Sequence, residues 1–220
     1  NVWKDEIPAE VFTETFTPPI TDGSGNDRKN LLKAKEILEK EGWFVEDGKL
    51  VKDGKEFKFE FLIVSPSDEK IALAYQSNLK KLGITMDVRT VDSSQYQERL
   101  LSYDFDMIKR YWGVSLSPGN EQQFYWGSEV GQKDGSRNYP GINSPAVDAL
   151  IEKLISATNR EELTTAIHAL DRVLLWGHYV VPLYHSNKDR IAYWDFFEYP
   201  DEIPLYGIVI ESWWINKDKQ

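Results

Sequence analysis

Between residues 26 and 112 the apolar residues of this chain switch repeatedly between helical and alternating spacing. Leu31, Ala34 and Leu38 recur at intervals of three and four, which puts them on one face of a helix starting near Asn26-Asp27 and stopping at Gly42. Two Asp-Gly pairs follow, Asp47-Gly48 and Asp53-Gly54, and each signals a tight hairpin turn whose two central residues need positive φ. In 56–64 the residues Phe57, Phe59, Phe61 and Ile63 alternate with other side chains, predicting a strand with one buried face. Ile71, Ala74, Tyr75, Leu79 and Leu82 return to a helical stripe over 67–82, closed by Gly83. A strand at 84–91 comes next. Asp92 then caps a short helix, with Gln95 in the capping-box position, and a strand follows at 105–112. Strands and helices alternating at such short intervals predict parallel βαβ units, and so an α/β fold.

The second half is more helical. Ser144-Pro145 supplies a cap and a proline at the first helical position, ahead of the stripe Val147, Leu150, Ile151, Leu154 and Ile155. Asn159, with Glu162 three residues on, caps a further helix whose stripe is Leu163, Ile167, Leu170 and Leu174. The tail alternates strand-like runs, at 179–184, 190–194 and 208–215, with Pro-containing loops. Residues 1–25 are rich in Pro and Thr, lack sustained periodicity and read as an extended linker. The domain reading is therefore a linker at 1–25, an α/β lobe at 26–185 and a C-terminal segment at 186–220.

Polar loop chemistry is concentrated after the strand at 105–112. The loop runs Gly113-Val114-Ser115-Leu116-Ser117-Pro118-Gly119-Asn120-Glu121-Gln122-Gln123, and Gly135-Ser136-Arg137-Asn138-Tyr139-Pro140-Gly141 joins it. Trp112, Trp126 and Tyr139 flank these stretches. Because ligands of open α/β sheets sit at the carboxyl ends of strands, the loop reads as a binding surface. The eight Trp and eleven Tyr suit recognition of a flat or extended ligand as well as core packing.

Composition narrows the partners. With 220 residues, 41% of them apolar and 28% charged, the chain has the make-up of a globular protein of one large or two small domains. A net charge of −10 argues against a nucleic-acid partner. The absence of cysteine removes disulfides, thiolate metal sites and Cys nucleophiles. The start, Asn1-Val2-Trp3, carries neither an initiator Met nor a signal-peptide pattern, which predicts a processed chain or a fragment.

Catalytic readings find little support. The three histidines, His168, His178 and His185, lack metal-ligand spacing and read as helix-end or exposed residues, so no metal is expected. Gly113-Val114-Ser115-Leu116-Ser117 approximates a nucleophile elbow, but Ser117 replaces its last glycine and Pro118-Gly119 ends the helix it must lead into. Glu121, Glu129 and Asp134 could supply paired carboxylates for glycoside hydrolysis, with Trp112 and Trp126 as sugar platforms, yet nothing singles out a pair. No phosphate-binding glycine motif occurs, and no cofactor is expected. Lys109 and Arg137 are cations able to receive a carboxylate, or to pair with Asp106 or Asp134. Asn120 serves equally as a ligand contact or a helix cap.

Several segments together carry a family resemblance: 105–112, Ser117-Pro118-Gly119-Asn120-Glu121-Gln122, Gly135-Ser136-Arg137-Asn138-Tyr139, Ala169-Leu170-Asp171-Arg172-Val173-Leu174-Leu175-Trp176, Tyr179-Val180-Val181-Pro182, Ala192-Tyr193-Trp194-Asp195 and Ser212-Trp213-Trp214. Over almost its whole length the chain resembles the C-terminal part of extracellular solute-binding proteins of family 5, in the YejA-type branch. The resemblance implies a type II periplasmic binding-protein lobe, with a mixed sheet and flanking helices. It also implies a periplasmic location, an oligopeptide ligand, ABC permease subunits as partners, and an N-terminal lobe of the same protein. The segment returning toward that lobe is expected to begin within 182–187.

The family places an aromatic residue at this strand end, matched by Trp112, and an acid three residues later that receives the peptide amine. Here that position is Ser115, so either Glu121 or a preference for blocked or unusual peptides takes the place of the usual anchor. Lys109, three residues before the aromatic, matches a basic position that can receive a ligand carboxylate. The implied ligand-binding set is Lys109, Trp112, Gly113, Ser115, Asn120, Glu121, Arg137, Asn138 and Tyr139, with no catalytic residue. A binding lobe for a saccharide or muropeptide is the first competing reading, and a glycoside hydrolase the second.

Overall fold

The computed structural model describes residues 2–25, 27–113, 115, 117–131, 133–183, 188, 190–202, 204–205 and 207–219. Expectations that touch Asn26, Val114, Leu116, Tyr184, His185 or Asn187 lie outside the described residues. The chain divides into two compact units, Asn1–Tyr179 and Val180–Gln220.

Local chemistry explains most elements of the first unit. After α1 (Glu10–Thr13), α2 (Arg28–Lys40) begins where the Asp27 carboxylate accepts the Asn30 N–H. β1 (Phe44–Glu46), β2 (Lys49–Lys52) and β3 (Lys55–Glu56) form an antiparallel meander. Its turns carry positive φ at Asp47, Gly48, Asp53 and Gly54, as the paired Asp-Gly signals require.

β4 (Lys58–Ile63), α3 (Pro66–Lys80), β5 (Thr85–Thr90), α4 (Ser93–Leu101) and β6 (Met107–Ile108) then make two βαβ units. Their parallel sheet has the order β5-β4-β6. Ser65 caps α3 with Pro66 at its first position, one step ahead of the predicted start, and Asp92 caps α4 by accepting the Ser94 and Gln95 N–H groups. The expected α/β lobe is present, but its parallel and antiparallel pairs occupy separate ladders rather than one mixed sheet. Phe57 lies between the two ladders. Its N–H donates to Leu50 and its carbonyl accepts from Thr85.

Two expectations need correction here. β4 is buried on both faces near its end. Phe61 and Ile63 pack with Ala72 and Met86, whereas Leu62 packs with Val91, Tyr96 and Leu100. A parallel strand between crossover helices has no solvent face, so the single buried face inferred from alternation is incomplete. The strand read at 105–112 pairs only at Met107 and Ile108, against Phe61 and Leu62, and just before it the Asp106 carboxylate accepts the Glu60 N–H.

Gly83 joins α3 to β5 at φ +79°, and a Cβ there would approach the Leu50 backbone nitrogen to 2.8 Å, the same nitrogen that donates to the Gly83 carbonyl. Gly83→Ala is therefore expected to destabilise the fold by roughly 2 kcal/mol or more. A lowered urea midpoint with an unchanged slope checks this.

The remainder of the unit is helical: α5 (Glu121–Trp126), α6 (Ser128–Gly131), α7 (Pro145–Ile155) and α8 (Arg160–Trp176). Ser144 and Asn159 cap α7 and α8 as expected, and Val147, Ile151, Leu154, Ala166, Leu170 and Val173 form their shared core. Within the stretch read as an extended linker, α1 delivers Val11 into that same core. The Arg172 guanidinium donates to the carbonyls of Val11 and Glu14.

The second unit, Val180–Gln220, pairs β7 (Phe197–Glu198) antiparallel with β8 (Trp214–Ile215). The Glu198 carboxylate accepts from Trp214 Nε1 at 3.2 Å and Asn216 Nδ2 at 2.6 Å. The Trp213 ring lies 5.0 Å from Tyr193 and 5.1 Å from Tyr199, beside a cavity of about 120 Å³. Of the strand expected at 208–215 only Trp214–Ile215 forms, its partner lies at Phe197–Glu198 outside the expected 190–194, and 190–194 and the described part of 179–184 are irregular. These aromatic residues fill the unit by ring packing, which leaves alternation a poor guide.

Candidate functional site

β5 and β6 flank β4 on opposite sides, so the carboxyl ends of β4 and β6 form the switch point at which open α/β sheets bind ligands. The chain leaving β6 runs directly into the polar loop. Lys109 is held there by an ion pair with Asp68, in the first turn of α3, and its carbonyl accepts from Tyr96 OH at 3.3 Å. Asp68, rather than Asp106, is thus the Lys109 partner. Asp106 instead accepts the Glu60 N–H at 2.8 Å.

From Arg110 onward an aromatic ridge takes over. Trp112, half-buried, has its ring 4.8 Å from Trp126 and 6.3 Å from Tyr139, and its Nε1 donates to the Arg137 carbonyl at 3.2 Å. The Arg110 guanidinium lies over the Tyr139 ring at 5.0 Å and donates to the Tyr139 hydroxyl at 3.0 Å. Gly113 is exposed, and a Cβ there would meet nothing within 4 Å. Its carbonyl accepts from the buried Tyr125 hydroxyl at 2.9 Å, while its N–H donates to none of the described residues. That leaves an open edge of backbone beside an aromatic platform.

The other predicted residues divide by task. The Ser115 hydroxyl turns back on its own loop, donating to the Ser117 carbonyl at 2.8 Å and accepting the Ser117 N–H at 3.2 Å. Asn120 stands at the N-terminus of α5 without capping it through its side chain, and remains exposed. Glu121 Oε1 accepts the Gly119 N–H at 2.9 Å and the Gln122 amide at 3.2 Å. Burial alone would raise the Glu121 carboxyl. The hydrogen bonds from Gly119, from its own N–H and from Gln122 outweigh that and hold it below the usual carboxylate range, so it stays anionic at neutral pH.

Asn138 is fully buried. Its Nδ2 donates to the carbonyls of Gly127 (3.0 Å) and Ile142 (2.9 Å), and its Oδ1 accepts the Ile142 N–H (2.9 Å). It therefore holds the second loop against the α5–α6 junction, and Arg137 and Tyr139 on either side of it face outward or half-outward. Glu129, one of the carboxylates weighed for hydrolysis, is exposed and paired with Lys133 at 2.8 Å.

Sequence reasoning passed over Arg110, although a usable signal was there. In an extended segment residues two apart share a side, and Arg110 stands two before Trp112.

The model of the bacterial extracellular solute-binding proteins, family 5 (middle), matches residues 4–134. The chain is 42% identical over 217 residues to the probable peptide-binding protein YejA of Agrobacterium fabrum, covering 97% of this chain and 35% of that protein. It is 41% identical over 209 residues to the peptidoglycan-binding protein YepA of the same organism, covering 94% and 34%. Among solved structures, the oligopeptide-binding protein AppA of Bacillus subtilis, in complex with a nonapeptide, shares the fold at a TM-score of 0.67 and 23% identity, over 94% of this chain and 42% of AppA. The chain spans about a third of the length of the curated relatives it matches.

Proposed function

Because the chain belongs to the bacterial extracellular solute-binding proteins of family 5, we propose that it is the C-terminal lobe of a periplasmic oligopeptide receptor that hands its ligand to an ABC importer. The observation that carries this reading is the open backbone at Gly113 beside the Trp112–Trp126–Tyr139 ridge, at the carboxyl ends of β4 and β6. An extended peptide needs main-chain partners and tolerant side-chain contacts. Exposed backbone supplies the first, and aromatic faces and water-filled space supply the second.

In this reading residues 26–185 form the ligand-binding lobe, and 186–220 return toward an N-terminal lobe that closes over the peptide by a hinge motion. Glu121 receives the peptide amine in place of Ser115, whose hydroxyl is engaged with Ser117. Asn138 acts as scaffold, and Trp112, Gly113, Arg137 and Tyr139 form the contact surface. Lys109 and Asn120 lie at its margins. The ligand leaves chemically unchanged.

A second reading is favoured by the likeness to YepA: the ligand is a peptide bearing saccharide, with Trp112 and Trp126 stacking on the sugar. Tryptophan fluorescence during titration with a di- to octapeptide pool tests both readings. The two samples are this chain and a form extended to the length of its relatives. The extended form is expected to show a saturable change and this chain only a weak one, since one lobe supplies half the contacts. Sub-micromolar binding by this chain alone would overturn the two-lobe reading. Quenching displaced by free saccharide would favour the second, and silence in both samples would sink free peptides as ligand.

A further inference from the structure

Tyr125 reaches out of the interior to an atom that solvent could serve. Its side chain is buried on α5 and meets the Trp126 ring edge to face at 6.4 Å. Yet its hydroxyl donates at 2.9 Å to the carbonyl of Gly113, in an exposed loop. A buried tyrosine hydroxyl needs a partner, but water would satisfy an exposed main-chain carbonyl as well. The bond therefore adds little to stability, and what it fixes is the direction of the Gly113 backbone.

Gly113 has little else to fix it. Glycine ranges over more of φ/ψ space than any other residue, and a Cβ at Gly113 would meet nothing within 4 Å. On the preceding side Trp112 is held by Nε1 on the Arg137 carbonyl and by the Trp126 ring at 4.8 Å. Trp126 in turn donates from Nε1 to the buried Gln122 amide oxygen at 3.0 Å. The Gly113 N–H, which donates to none of the described residues, stands between these attachments, and α5 supplies both Tyr125 and Trp126.

We propose that Tyr125 is a positioning residue, whose hydroxyl presets the Gly113 backbone for a main-chain hydrogen bond to the ligand. The proposal rests on the peptide reading above and deepens it. A backbone already held in its bound direction spares the complex part of the ordering cost of association.

The test is calorimetric titration of the form extended to the relatives' length with tetra-alanine and three analogues. Each analogue has one amide replaced by an ester, whose carbonyl is the weaker acceptor. One of the esters is expected to cost the parent about tenfold in affinity. Tyr125→Phe, which keeps the ring, is expected to weaken tetra-alanine about tenfold and to shrink that ester cost to within about threefold, because both changes act on one hydrogen bond. Gly113 lies outside the positive-φ region, so adding Gly113→Ala to Tyr125→Phe restricts the same backbone and is expected to recover part of the loss. A merely structural tyrosine would weaken all four peptides alike. No ester cost in the parent, or the same cost in both proteins, overturns the positioning role and leaves peptide binding intact. Binding of no peptide by the parent overturns both. If Tyr125→Phe fails to fold, the free parent labelled with ¹⁵N-glycine decides: a backbone order parameter of about 0.7 or more is expected at Gly113, and a lower one overturns the proposal.

Discussion

Trp112→Ala is expected to weaken ligand binding by about a hundredfold, the size of effect that removal of a central aromatic anchor produces. Trp112 is the centre of the ridge, packed at a tilt against Trp126, near Tyr139, and bonded through Nε1 to the Arg137 carbonyl. Its truncation removes the platform and also frees the loop that carries Arg137. Trp112→Phe separates these contributions, since it keeps a ring and loses the donor, and a loss of several-fold is expected. Titration calorimetry on the extended form measures both, with melting temperature recorded in parallel. If Trp112→Ala binds as well as the parent, the ridge is core packing and the site lies elsewhere.

Asn138→Ala carries the largest expected effect on stability, a loss of about 3 kcal/mol. Three hydrogen bonds disappear, each worth about 1 kcal/mol net, and the Gly127 and Ile142 carbonyls and the Ile142 N–H lose their partner in the interior. That is a large fraction of the 5–15 kcal/mol by which domains are stable. Neighbouring structure cannot close the gap easily, because Gly131 already approaches so near that a Cβ there would lie 2.6 Å from Asn138 Nδ2. A urea unfolding curve checks this: a midpoint shift of less than about 1 kcal/mol would mean that water replaces the amide.

Where the signal is a short local chemical rule, the sequence proved readable. The Asp-Gly turns, the Asp92, Ser144 and Asn159 caps and the α7 and α8 stripes depend on residues a few positions apart. The limits of strands were harder, since they depend on a partner. β6 pairs only at Met107 and Ile108, with Phe61 and Leu62 some 46 residues away, and no local pattern marks those two positions out of 105–112. The second buried face of β4 was available in the unbroken run Phe61-Leu62-Ile63-Val64, which alternation alone hides.

At the site, the aromatic and glycine-rich character stood out in the chain itself. The division between Asn138 as scaffold and Tyr139 as surface did not, because adjacent residues carry no label of depth. Nor could the sequence match Lys109 with Asp68, 41 residues apart on a different element.

The clasp of Arg172 on α1 bears on how freely the chain can vary. The guanidinium grips the carbonyls of Val11 and Glu14, groups that every amino acid possesses, so the attachment of α1 to α8 does not depend on the side chain at position 14. Side chains are specified at the arginine, at the buried Val11, and at Ile7 and Phe16, which pack on the same core and on Trp176. The opening segment can drift in sequence while keeping its place, and the loss of recognisable pattern over 1–25 is what such a main-chain anchor permits.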